Sequence, residues 1–62
     1  MTELEIVVKQ IDEKVEQLKE ALVNGNFVSF EEYKKACGEI RGLLTARGYA
    51  LDLKDRLENS DE

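Results

Sequence analysis

The stretch "NGNFVSFEE", Asn24 to Glu32, constrains this chain more than any other, because it stops one helix and starts a second within a few residues. Gly25 can take the left-handed conformation that ends a helix, and Asn24 and Asn26 tolerate it better than most residues. Ser29 followed three residues later by Glu32 has the signature of a capping box, and Val28 is placed to staple onto Tyr33 in the first turn. Glu31 and Glu32 sit where the helix dipole favours negative charge. A connection this short predicts two antiparallel helices, as in up-and-down bundles.

The first helix opens at Thr2, whose hydroxyl is placed to accept from the Glu5 amide while the Glu5 carboxylate reaches back. Leu4, Val8, Ile11, Val15, Leu18 and Leu22 follow at alternating spacings of four and three. That is a heptad seam with β-branched residues at one core position. Lys9, Glu13, Glu16 and Glu20 lie away from it as a solvated face, with Glu5 and Lys9 spaced to pair.

The second helix is bounded less sharply, since only single glycines interrupt it from Phe30 toward Glu58. Tyr33, Ala36, Cys37, Ile40, Leu43, Leu44 and Leu51 fall on one face, and Ala46, Ala50, Leu53 and Leu57 on an adjoining one. One partner helix cannot cover both. At about 1.5 Å per residue the second helix outruns the first by roughly 10 Å, which predicts that Leu53 and Leu57 lie beyond it. The expected fold is therefore all-α: an antiparallel two-helix hairpin, about 2–24 and 29–58, assembled into a larger bundle or docked on a partner. The whole chain, 1–62, makes a single domain with a frayed acidic tail at 59–62.

Size and composition then narrow how such a hairpin is held together. A chain of 62 residues buries too little surface to be secure without disulfides, metal, oligomerisation or very regular packing. The single cysteine cannot form an internal bridge, and with no histidine there is no zinc-type ligand set. Assembly or partner binding remains. The net charge of −5 argues against a general nucleic-acid surface. No apolar run approaches a membrane span and no secretory signal stands at the start, so the expectation is a cytoplasmic origin with Cys37 reduced.

No residue constellation supports catalysis, a cofactor or a small-molecule substrate. Cys37 lacks a histidine to activate it and reads as a small apolar seam residue, while Lys34, Lys35 and Arg41 read as surface charges. Phe27, Phe30 and Tyr33 cluster at the turn and cap the end of the core. Arg47 lies between Leu44 and Leu51 on the apolar stripe. Two roles suit it: a bidentate grip on a partner's carboxylate, or a stem laid over the seam with its head on Glu3 or Glu5.

Gly38 and Gly42 are the unusual feature of the second helix. Each costs about 1 kcal/mol relative to alanine in a helix interior. With Ala46 they draw a small-residue groove off the hairpin seam, of the kind that lets another backbone approach closely. Tyr49 lies near the same face, and Gly48 introduces a kink or break before it. The expected protein-interaction residues are Gly38, Gly42, Ala46, Arg47, Tyr49, Ala50, Leu53 and Leu57.

The run "FEEYKKACGEIRGLLTA", with Tyr33, Gly38, Ile40, Arg41, Gly42 and Leu43 as its most recognisable positions, resembles the second helix of small hairpin proteins of short-tailed bacteriophages. These are encoded near head and tail structural genes. The resemblance covers Ala21 to Leu57. It implies a non-enzymatic virion structural or assembly-accessory protein, made in the bacterial host cytoplasm and placed on the head, portal or head-tail junction. Its partners would be further copies of itself or a larger phage structural protein. The acidic composition by itself admits a different role, a small inhibitor that occupies a basic site on a host enzyme or defence system.

Overall fold

A computed structural model describes residues 2–25 and 27–59 and shows an antiparallel hairpin of two helices, α1 (Glu3–Asn24) and α2 (Phe30–Glu58), packed along their length. Helix α1 begins as its cap chemistry dictates. The Glu5 N–H donates to Thr2 Oγ1 at 3.2 Å, and the Thr2 N–H donates to Glu5 Oε1 at 3.3 Å. It ends at Gly25, whose φ of 66° and ψ of 33° aim its N–H at the carbonyls of Ala21 and Leu22. No other described residue has positive φ, and glycine is what makes this stop inexpensive.

The start of α2 is capped differently from the expected box. Ser29 Oγ accepts from the Glu32 N–H at 3.2 Å, but the Glu32 carboxylate accepts from Val28 N–H, at 2.8 Å, one residue before the cap. Val28 does not staple, since its side chain is 92% exposed. Phe27 takes that place, meeting Tyr33 edge-on with ring centroids 6.3 Å apart, while Phe30 stacks on Tyr33 at 6.2 Å. Extended backbone at Ser29 (φ −144°, ψ 162°) alternates successive side chains, so the residue two before the cap, not one, turns back toward the core.

Helix α2 runs unbroken through Gly38, Gly42 and Gly48, so the break expected at Gly48 does not occur. Its last turn carries Arg56, and Asn59 N–H donates to the Asp55 carbonyl at 3.0 Å. The rest of the acidic tail expected to fray lies outside the described residues.

The α1 seam is as the spacing predicts: Val8 and Val15 are buried, with Leu4, Ile11, Leu18 and Leu22 half-buried beside them. Across from it α2 buries Ala36 and half-buries Ile40, Leu43, Arg47, Ala50 and Lys54. These too are spaced four and three apart, so α2 carries its own heptad seam with two cations in it. Val8, Val15 and Ala36 are the only buried residues among those described. The hairpin measures 52 × 18 × 13 Å, and its radius of gyration, 14.9 Å, exceeds the roughly 11 Å of a compact domain of this length.

The overrun of α2 lies at the opposite end from the one expected. Arg47 meets Asp12, and following that register places Leu57 level with Thr2, the two residues lining one shallow groove with Leu4 and Lys54. The same register puts Asn24 level with Lys35. Helix α2 therefore begins about 7.5 Å beyond the end of α1, at the turn. Leu53 and Leu57 are level with α1; their exposure comes from sitting on a flank of α2.

Candidate interaction surface

Two faces of α2 do different work, and the inward one carries two cations, Arg47 and Lys54, among apolar residues. Arg47 Nε donates to Asp12 Oδ1 at 2.7 Å, with the two side chains 38% and 49% exposed. Arg47 thus belongs to the hairpin's own seam, and its partner is Asp12 rather than Glu3 or Glu5. The reason is register: Glu5 lies a heptad nearer the N-terminus than Asp12, level with Lys54. Lys54 Nζ is 2.8 Å from Glu58 Oε1 on its own helix and close enough to Glu5 to attract it.

Asp12 with Arg47 is the ion pair that crosses the hairpin, and one heptad away Lys54 lies on the side of Glu5 while pairing with Glu58 on its own helix. Sliding α2 by one turn would set each cation against the wrong residue. At 38% and 49% exposure the Arg47–Asp12 pair contributes about 1 kcal/mol or less, so the apolar seam supplies most of the stability. The hydrogen bonds from the Thr2 backbone and hydroxyl, and more weakly Lys54, hold the Glu5 carboxyl below its ordinary value. Glu58 raises the Lys54 ammonium above its own.

The outward face of α2 is where most of the expected interaction residues lie. Gly38, Gly42, Ala46, Tyr49 and Leu53 are all exposed, Tyr49 at 73% and Leu53 at 46%. A methyl group built on Gly38 or Gly42 meets nothing within 4 Å, so the space over both is open. Ala50 is half-buried against α1 and Leu57, 57% exposed, borders the groove with Leu4. The structure thus groups Gly38, Gly42, Ala46, Tyr49 and Leu53 on one face and separates Arg47 and Ala50 from them.

Sequence reasoning passed over Asp12, Lys54, Glu39 and Arg56. The signal for the first two was the four-and-three spacing of Ala36, Ile40, Leu43, Arg47, Ala50 and Lys54, hidden because two of its members are charged. Glu39 and Arg56 are exposed and close off the two ends of the outward apolar stretch. Cys37 is a half-buried free thiol flanking the seam. Among the described residues no group of three His, Cys, Asp or Glu could hold a metal ion, and no helix is long and apolar enough to cross a membrane. No protein-family model, curated protein or solved structure matches the chain.

Proposed function

We propose that this protein is a non-enzymatic interaction module that works through helix-mediated contacts made by the outward face of α2. One observation carries the reading: large apolar side chains, Tyr49 and Leu53, stand in solvent on a hairpin that buries only Val8, Val15 and Ala36 among its described residues. A protein with so small a core gains from having that face covered. The resemblance of "FEEYKKACGEIRGLLTA" to short-tailed phage hairpins supplies the setting, a virion structural or assembly-accessory protein on the head, portal or head-tail junction.

Mass analysis of purified particles tests that setting, with the chain expected at a fixed copy number matching the symmetry of one virion part. Complete absence from particles overturns it. The reading that would then gain is the inhibitor of a host enzyme or defence system, which the exposed Glu13, Glu16 and Glu20 on the outer side of α1 favour.

A further inference from the structure

We infer that the outward face of α2 is covered by the same face of a second copy, packed antiparallel about a two-fold axis that passes between Ala46 and Tyr49. This rests on reading that face as a contact surface and goes beyond it by naming the occupant. The first argument is the order of residues along it. Glu39, Gly42, Ala46, Tyr49, Leu53 and Arg56 are all exposed and spaced three, four, three, four and three apart, a spacing common to heptad stripes, and here the residues at mirrored positions are complementary.

Setting the stripe against its own reverse pairs unlike with unlike at every level. Glu39 meets Arg56, Gly42 meets Leu53 and Ala46 meets Tyr49, and the two-fold repeats each pair. Opposite charges close both ends, and each large side chain enters the open space over a small residue. Arg56 already gives Nε to Asp52 at 3.0 Å on its own helix, and a guanidinium has further donors for a second carboxylate. A face meant for an unrelated partner has no reason to be complementary to its own reverse.

The second argument is area. The chain exposes 5036 Å², whereas a folded monomer of 7.1 kDa is expected to expose about 4,100 Å². The excess, roughly 900 Å², is that of the whole elongated hairpin, and it leaves room for the roughly 800 Å² that each partner of a stable complex covers. Small residues at Gly42 and Ala46 let the two copies of α2 approach to about 8 Å, which brings Tyr49 and Leu53 under cover together.

Sedimentation of the purified chain from micromolar to millimolar concentration tests this, with a dimer expected. Glu39→Arg alone, which sets like charges together at both ends of the contact, is expected to weaken dimerisation about tenfold. Glu39→Arg with Arg56→Glu restores the pairs and is expected to restore the dimer, while circular dichroism confirms that each variant remains helical. Independently, in a Cys37→Ser background, Ala46→Cys chains mixed with Tyr49→Cys chains are expected to cross-link more readily than either chain alone. A helical monomer at all concentrations, a dimer indifferent to the reversals, or equal cross-linking of like and unlike chains overturns the inference. A monomeric chain that is nevertheless found in virions at fixed copy number would overturn the dimer and leave the virion reading standing.

Discussion

The inner and outer faces of α2 each mix apolar and charged residues, where a surface helix usually separates them. The inner face sets Arg47 and Lys54 against α1, while the outer face presents Tyr49 and Leu53 to solvent. An amphipathic helix normally turns its apolar stripe to the nearest partner and its charges to water. Helix α1 conforms, with Val8 and Val15 buried and Glu13, Glu16 and Glu20 exposed. Helix α2 divides its apolar residues between two directions, and Arg47 on its inner face pairs with Asp12 of α1. The difference identifies the inner contact as the one set by alignment and the outer one as the larger unmet demand for apolar cover.

Substitutions on the two faces break or sharpen that contrast. The largest effect is expected for Val15→Asp: Val15 is 4% exposed, and a carboxylate there costs about 3 kcal/mol or more, which a core this small does not withstand. Loss of ellipticity at all concentrations is the expected outcome, and a helical variant would show that the α1–α2 seam is not the core. Leu53→Asp should do the reverse, keeping helicity while abolishing concentration-dependent sedimentation. If helicity and assembly fall together, the two faces are not separable.

Gly48→Ala is the control for the glycines. Gly48 lies outside the outward stripe and a methyl group there meets nothing within 4 Å. The change should raise stability by about 1 kcal/mol in urea titration without altering assembly, whereas Gly42→Leu should improve helicity and lose assembly. Arg47→Ala should lower stability by about 1 kcal/mol or less, because the ion pair with Asp12 is more than a third exposed. Arg47→Leu, which keeps the apolar stem but removes the charge, should be neutral to stabilising and should broaden the amide spectrum as the alignment loosens.

The smallest effect concerns acid. The folded Glu5 carboxyl is held below its ordinary value of 4.5, so its contribution is complete above that pH and is lost as pH falls through the lowered folded value. A helicity titration should therefore show Glu5→Gln flattening the acid limb while leaving neutral pH nearly unchanged. Lys54 acts in the opposite direction: its raised value means that its contribution is present below 10.5 and lost as pH rises through the folded value. An unchanged acid limb in Glu5→Gln would show that the Glu5 carboxylate adds nothing to the cap of α1 beyond what an amide supplies.

Much of this was legible in the residues because helix ends are local. Thr2 with Glu5, Gly25, and Ser29 with Glu32 each act within one turn, so cap chemistry placed both helices within a residue of where they lie. The details that escaped are those where a neighbouring residue could do the same job. Glu32 reaches Val28 N–H instead of that of Ser29, and Phe27 replaces Val28 against Tyr33, because the extended backbone before the cap decides which side chain turns inward. The outward face was legible in part: Gly38, Gly42, Ala46, Tyr49 and Leu53 share it, but Arg47 and Ala50 were separated from it by only a fraction of a helical turn.

What the sequence alone determined is the pair of helices, their boundaries, their antiparallel course and the apolar seam of α1, since periodicity and capping are properties of neighbouring residues. Tertiary structure decided the alignment of one helix on the other. Only when α1 and α2 are packed does Asp12 become the residue level with Arg47, the overrun of α2 move to the turn, and Glu39 and Arg56 appear at the two ends of one exposed stripe. A heptad pattern repeats every seven residues, so by itself it does not say which residues of the two helices stand level. Asp12 and Arg47 lie far apart in the chain, and a linear reading does not bring them together.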